Sequence, residues 1–249
     1  NETDNETGAS DAPFDNHSVT VSSDTLGTLV FHGEGGSSAQ SALDTTAAGD
    51  IWNNGFTHGA AVAYVGMGGS DAANNKSVNY TLPTLMDDLA VAVSYSGQTT
   101  AVNSTTAFGV TYTGVEGLSV SYGMGDAETG VSSTEADQTV MKASYAYGPV
   151  TLAYSDTSHD SNTATADQDV TSYKLSYTVS DAISISYGEE DIASGTTTDI
   201  DAKYSRISAS YTAGGLTISG NMSEMENGTY TTAVAGDEEY YGLSLSFAF

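Results

Sequence analysis

The last eleven residues of the chain, 239–249, alternate strictly between large apolar side chains and small or polar ones. The apolar positions are Tyr241, Leu243, Leu245, Phe247 and Phe249. Alternation with a period of two predicts a β-strand that has one apolar face and one polar face. A soluble domain seldom ends on such an edge strand, because an exposed apolar edge promotes aggregation. The pattern favours a closed barrel in a lipid bilayer, where the edge is paired and the apolar face meets lipid.

Similar alternation recurs along most of the chain and predicts an all-β protein with thirteen strands. The predicted strands are 18–22, 28–32, 77–82, 89–97, 105–113, 118–124, 139–147, 150–156, 170–179, 183–189, 203–212, 216–222 and 239–249. From residue 77 onward, short turns rich in Gly, Pro or Asp alternate with long acidic loops. This asymmetry is typical of a transmembrane antiparallel β-barrel, whereas a soluble sandwich has varied loops at both ends.

The two faces of the predicted strands differ in the same way from strand to strand. Ile183, Ile185 and Tyr187 fall on one face, and the intervening Ser184 and Ser186 fall on the other. A soluble sandwich needs an apolar inner face and a polar outer face. Because the polar face here is small and largely uncharged, a barrel with lipid outside and water inside explains the pattern better.

Aromatic side chains concentrate near the two ends of the predicted strands. We predict membrane-interface positions for Tyr112, Tyr145, Tyr177, Tyr211 and Phe249 near the short turns, and for Tyr241 near the long loops. Amphipathic rings prefer the two interfaces of a bilayer. Tyr is common in strands in general, but that preference does not predict two bands at the strand ends.

Composition and charge exclude several classes of protein. The chain has 249 residues and no Cys, so it has no disulfide framework, thiolate metal site or cysteine nucleophile. Five Lys and Arg stand against 32 Asp and Glu, a net charge of −27, which disfavours nucleic acid and suits cations as partners. No run of apolar residues is long enough for a transmembrane helix, which leaves a transmembrane barrel open.

Enzymatic and metal chemistry find little support in the sequence. The four His residues have no spacing that suggests a metal site or a catalytic triad, so we predict no enzyme activity. Acidic residues on the long loops could bind Ca²⁺ through their oxygens, and the candidates are Glu189, Glu190, Asp191, Asp237 and Glu238. None of these matches a defined calcium loop. A hydrated acidic surface is the simpler interpretation of these residues. We therefore predict no cofactor, and Ca²⁺ on the acidic outer loops stays open as the alternative.

The strand count carries an expectation about the start of the chain. A single-chain bacterial barrel has an even number of strands with both ends on the short-turn side. Thirteen strands counted back from residue 249 therefore suggest that an odd number of strands is missing from the N-terminal end. We expect three missing strands, with residues 1–17 as an outer loop entered part-way. Counting 60–67 as a further strand would give an even number but would break the alternation of long and short connections.

Two stretches resemble one known family. Residues 22–44, SSDTLGTLVFHGEGGSSAQSALD, look like a strand leading into a constriction loop, and residues 240–249, YYGLSLSFAF, resemble a terminal motif for outer-membrane assembly. On these motifs the chain resembles the general porins of Gram-negative bacteria, particularly the marine and alphaproteobacterial members. The resemblance implies a trimer of sixteen-stranded barrels in which the connection at 33–75 folds into the pore. His32 stands about where many members of the family have arginine.

The resemblance also implies an electrostatic filter in which loop acids face wall bases. Candidate loop acids are Glu34, Asp44 and Asp50, with His32 at the entrance to the loop. Candidate wall bases are Lys142, Lys174 and Arg206, all at inward positions by strand parity. Opposed charges would create a transverse field that orders water and hinders apolar solutes. The alternative, scattered lumen charges without paired geometry, stays open.

Together these features predict a passive diffusion channel of the bacterial outer membrane, favouring small hydrophilic solutes and cations. We expect a homotrimer in contact with lipid and lipopolysaccharide, with the long loops outside and the C-terminus toward the periplasm. One alternative is a substrate-selective porin, although only Tyr204 and Tyr240 are inward aromatics. Another is a soluble acidic surface-layer or adhesin β domain.

Overall fold

In the part of the chain that the structure describes, thirteen strands form one antiparallel sheet, each paired with its neighbours in sequence. The computed structural model describes residues 17–34, 36, 38–40, 43, 45–53, 56, 76–83, 86–97, 104–127, 136–162, 167–195, 200–228, 230 and 236–248. The strands are β1 (His17–Ser23), β2 (Gly27–Glu34), β3 (Ser77–Thr81), β4 (Leu89–Ser96), β5 (Thr105–Val115), β6 (Leu118–Ala127), β7 (Ala136–Tyr147), β8 (Val150–Ser161), β9 (Gln168–Ser180), β10 (Ile183–Ser194), β11 (Ala202–Ala213), β12 (Leu216–Glu226) and β13 (Glu238–Phe247). The sheet does not close on itself within these residues, and β1 and β13 are its edges. The predicted all-β antiparallel fold is confirmed.

Several strands extend further toward the long loops than the sequence predicts. β8 reaches Ser161 and β10 reaches Ser194, although the apolar alternation ends near Asp156 and Glu189. Beyond those points polar residues such as Asp160 and Asp191 stand at outward positions, so the period-two signal is lost while the hydrogen-bonded ladder continues. The segment 60–67 lies outside the described residues.

Short turns join the strands at one end of the sheet. β5 and β6 are joined through Glu116 and Gly117, and β11 and β12 are joined through Gly214 and Gly215. Gly117 has φ 76° and Gly215 has φ 83°, a left-handed conformation that glycine adopts without steric cost. These turns keep the hairpins tight, so the longer connections gather at the opposite end of the sheet.

The exposed face of the sheet is apolar, and much of the opposite face is covered and polar. Leu243, Tyr147 and Phe247 are 76%, 75% and 62% exposed. Ser155 and Ser172 on the other face are only 1% and 0% exposed, because part of the β2–β3 connection lies on them. Soluble proteins bury apolar side chains and expose polar ones. The inverted arrangement suits a wall whose outer face meets lipid.

The β2–β3 connection contains one turn of 3₁₀ helix, Ile51–Asn53. Ile51 is fully buried and packs on the inner face of the sheet. No helix in the described part of the chain is long and apolar enough to cross a membrane.

Candidate functional site

The connection between β2 and β3 lies against the inner face of the sheet. Its described residues 38–40, 43, 45–53 and 56 are called the inner segment below. Near its start, the backbone N–H of Ala39 donates to Ser94 Oγ on β4 (2.9 Å), and Gln40 Nε2 donates to Gln138 Oε1 on β7 (3.4 Å). The inner segment therefore runs across the strands instead of leaving the sheet.

Serine side chains of the wall accept hydrogen bonds from the backbone in the middle of the inner segment. The N–H of Ala47 donates to Ser155 Oγ on β8 (2.8 Å), and the N–H of Ala48 donates to Ser172 Oγ on β9 (2.9 Å). A serine hydroxyl can accept a hydrogen bond on a short side chain, so a neighbouring backbone can lie close to the wall. Successive residues of the segment are thus fixed to successive strands.

A buried carboxylate on β10 closes the turn at 46–52, which is called the anchored turn below. Glu190 is 0% exposed. Its Oε1 accepts a hydrogen bond from the Thr46 hydroxyl, and its Oε2 accepts one from the N–H of Trp52 (3.1 Å). Thr46 Oγ1 also accepts from the N–H of Asp50 (2.8 Å), while Asp50 Oδ1 accepts from the N–H of Thr46 (2.9 Å). One wall residue therefore holds both ends of the turn.

Apolar side chains pack between the anchored turn and the wall. Ile51 contacts a buried cluster on β9 to β12, which consists of Val170, Ile192, Ala202, Tyr204 and Met225. The Phe56 ring lies 5.7 Å from the Tyr204 ring and 6.5 Å from the Tyr240 ring, measured between centroids. Tyr230 borders the cluster outside the strands, where burial raises the pKa of its hydroxyl. The cluster shields this part of the connection from water.

Glycine occupies the wall where the inner segment approaches closest. A Cβ atom at Gly109 on β5 would lie 2.5 Å from the carbonyl oxygen of Ala39. A Cβ atom at Gly188 on β10 would lie 2.9 Å from the Cβ of Ala48. Both separations are too short for ordinary contact, so these positions need glycine for the segment to stay in its observed place.

A family model for Gram-negative porins matches residues 1–211. The chain belongs to the Gram-negative porin family. Membership indicates an outer-membrane channel that lets solutes diffuse, rather than an enzyme, and the soluble adhesin alternative loses its support. No curated protein matches this porin in sequence.

Solved porin structures share the fold of this porin at low sequence identity. A porin structure refined at 1.8 Å is 18% identical, with a TM-score of 0.63, covering 93% of this chain and 80% of that one. The anion-selective porin from Comamonas acidovorans is 16% identical, with a TM-score of 0.57, covering 94% of this chain and 74% of that one. OmpT of Vibrio cholerae is 17% identical, with a TM-score of 0.57, covering 94% of this chain and 80% of that one.

The three predicted wall bases of the porin lie on the inner face. The Lys142 ammonium on β7 donates to the carbonyl oxygen of Thr45 in the inner segment. Arg206 on β11 is half-buried, and its Nε donates to Ser223 Oγ (2.9 Å). Lys174 shares that face through its register on β9. At least one predicted filter base therefore also holds the connection in place.

The predicted loop acids are only partly described. Asp50 has φ 52°, and its carboxylate accepts the Thr46 N–H within the anchored turn. His32 lies on β2 and is half-buried, and Glu34 ends that strand. The Glu34 side chain and all of Asp44 lie outside the described part.

Sequence reasoning missed the contact that Glu190 makes with the inner segment. Its neighbours on the inward face of β10 are Ser184, Ser186, Gly188 and Ile192, all uncharged. A long carboxylate in such a row is the signal that could have marked it. The sequence suggested calcium instead, because Glu190 has acidic neighbours on both sides.

The candidate calcium ligands do not form one cluster in the described residues. Glu189 faces outward and accepts a hydrogen bond from the Tyr187 hydroxyl (2.5 Å), whereas Glu190 faces inward. Asp191 faces outward, 3.7 Å from the Lys203 ammonium. Asp237 accepts from the N–H of Asn227 (3.0 Å), and Glu238 begins β13. Within the described part, no group of three or more His, Asp or Glu residues could hold a metal ion.

The aromatic side chains predicted to lie at the membrane interfaces are outward and exposed where they are described. Tyr112, Tyr145, Tyr177, Tyr211 and Tyr241 are between 37% and 66% exposed, and Phe249 lies outside the described residues. The Tyr241 hydroxyl donates to Glu239 (2.9 Å), which lies beyond it toward the long loops. Such a ring has an apolar body and a polar tip, as the boundary between lipid and water requires.

Proposed function

We propose that this porin is a passive diffusion channel for small hydrophilic solutes and ions, and that it favours cations. The connection at 33–75 is the proposed constriction. The observation that carries the proposal is the path of the inner segment. It forms hydrogen bonds with the inner face of the sheet, from Ser94 on β4 to Glu190 on β10. A segment held inside a barrel narrows its lumen, and the polar inner face suits hydrated solutes.

The proposed preference for cations rests on the balance of charge. The chain carries 32 acidic and five basic residues, and clefts lined by one sign of charge concentrate counter-ions. The anion-selective porin from Comamonas acidovorans has a similar fold, but selectivity depends on side chains and not on the fold. The acid excess of this chain therefore supports the opposite preference.

We also propose that the constriction carries opposed charges. Lys142, Lys174 and Arg206 supply positive charge on the wall, and Asp50, with Asp44 and Glu34, supplies negative charge on the connection. His32 lies where the connection leaves β2. The resulting transverse field would order water and slow apolar solutes. Because the acids of the whole chain outnumber these bases, the net field would still favour cations.

The proposed assembly is a homotrimer in the outer membrane, in contact with lipid and lipopolysaccharide. The long loops would face the outside and the C-terminus the periplasm. One solved form of OmpT of Vibrio cholerae is a trimer. The broad apolar exterior of the sheet supports contact with lipid, with neighbouring copies, or with both.

Reversal potential across a planar bilayer under a KCl gradient tests the proposed function. The detergent-extracted protein is expected to give stepwise conductance and a potential of the cation-selective sign, because carboxylates outnumber bases. An anion-selective potential would contradict the proposed preference. The absence of channels from folded, heat-modifiable protein would contradict the diffusion function itself.

A substrate-selective channel is the alternative within the family. Phe56, Tyr204 and Tyr240 lie together on the inner side of the sheet, as an aromatic binding track would require. Tyr204 is only 2% exposed, however, and this supports a packing role. Saturable block of the ion current by a neutral sugar would favour the selective channel, whereas an unchanged current would favour general diffusion.

A further inference from the structure

We propose that Glu190 is the positioning residue of the constriction, and that its carboxylate gives the channel a single steady conductance. This inference rests on the proposed function, because it assumes that the connection at 33–75 narrows the pore. Glu190 would act through the anchored turn and not through contact with permeating ions, since it is fully buried beneath that turn.

The geometry of the carboxylate fits this role. The Thr46 hydroxyl reaches Oε1 and the Trp52 N–H reaches Oε2 (3.1 Å), so each oxygen holds one end of the anchored turn. The Thr46 hydroxyl must donate to Glu190, because the same oxygen accepts the N–H groups of Gly49 (3.1 Å) and Asp50 (2.8 Å). Both contacts therefore require acceptor oxygens, and Oε1 and Oε2 of Glu190 supply them.

The chemistry of the wall makes Glu190 different from the other anchors. Ser94, Ser155 and Ser172 each accept one backbone N–H through a neutral hydroxyl. Glu190 instead presents two acceptor oxygens on a longer side chain. A serine at this position could satisfy only one of the two donors. A leucine would fill the space but would leave both donors unpaired.

Burial makes the carboxylate dependent on the turn. Within the described residues, Glu190 has no Lys or Arg within ion-pair distance, so the donors of the anchored turn compensate for its lost hydration. Arg206 lies on the adjacent strand and interacts with Glu190 only through its longer-range field. Removing the carboxyl group leaves donors of the turn unpaired, and displacing the turn leaves the buried carboxyl oxygens without their donors. The two therefore hold each other in place.

A comparison of Glu190→Ala with Glu189→Ala tests the proposal. The two residues are adjacent, and each substitution removes one carboxylate, but Glu189 faces outward and bonds to Tyr187 (2.5 Å). Single-channel recording of the full chain is expected to show loss of the steady conductance level in Glu190→Ala, with frequent transitions between substates. Glu189→Ala is expected to keep the wild-type level. Heat-modifiable gel mobility is expected to show that both variants fold.

Two further variants separate positioning from general damage to the wall. Glu190→Gln keeps the volume but loses one acceptor, so it is expected to show fewer substates than Glu190→Ala. Thr46→Val removes the donor to Glu190 and also the acceptor of the Gly49 and Asp50 N–H groups, so it is expected to disturb the steady level at least as much as Glu190→Ala.

Each outcome bears on one proposal only. Wild-type protein that forms no channels would overturn the proposed function. Wild-type channels together with a Glu190→Ala record that has the same conductance, noise and reversal potential would overturn the role of Glu190 and leave the function standing. Equal disturbance by Glu189→Ala would likewise overturn it, because only loss of charge would then matter. If Glu190→Ala fails to fold, a Glu190→Gln record that matches the wild type would have the same meaning.

Discussion

Ile185→Arg is expected to block assembly of the barrel, whereas Ser186→Arg, one residue along the same strand, is expected to be tolerated. Ile185 faces outward, is 46% exposed and lies between Ile183 and Tyr187 in the apolar row of β10. An arginine on the lipid face at mid-membrane costs about 2–4 kcal/mol. That cost is a large share of the typical stability of a domain, about 5–15 kcal/mol.

Ser186 provides the matched control because its side chain points to the inner face. In the ladders it pairs with Ser176 and Ser208, whose side chains are also small and polar. Arginine at this position can remain hydrated, so folding should persist. Heat-modifiable gel mobility and urea unfolding in lipid vesicles measure both variants. Equal tolerance of the two arginines would contradict the assignment of the outward face to lipid.

The sequence predicted the strands well because each strand repeats one local rule. Ile183, Ile185 and Tyr187 alternate with Ser184 and Ser186, and this pattern needs no knowledge of distant residues. The prediction of strand ends failed where the alternation of apolar and polar residues ends. In the last part of β10 the outward residues Glu189 and Asp191 are acidic, so the sequence pattern predicts an end at Glu189 although the strand continues to Ser194.

The path of the inner segment was harder to predict, because contacts between distant parts of the chain define it. The resemblance to porins predicted that residues 33–75 turn into the barrel, but not which wall residues meet them. Ala39 meets Ser94 across 55 positions in sequence, and Thr46 meets Glu190 across 144. No local pattern encodes such pairs. Strand parity did predict the inward face of Lys142, which bonds to Thr45, but parity alone cannot identify a partner.

Gly188→Val is expected to lower the single-channel conductance, because it would push the anchored turn away from the wall. The new Cβ would lie 2.9 Å from the Cβ of Ala48 and 3.4 Å from Ile51 Cδ1. Strands β9 and β11 flank β10 and fix its backbone, so the inner segment has to move instead. Overpacking of this kind costs about 1–3 kcal/mol.

The direction of the change follows from where the turn can go. In the proposed channel the turn lies between the wall and the lumen, so a displacement away from Gly188 would carry it into the lumen and reduce the cross-section for ions. Ser186→Val adds the same β-branched side chain two residues away on the same face, where no contact with the inner segment is described, and it should leave the conductance unchanged. Planar-bilayer recording compares the two variants. A Gly188→Val channel with wild-type conductance would mean that the inner segment does not set the width of the pore, because the steric conflict would then have been relieved without narrowing it.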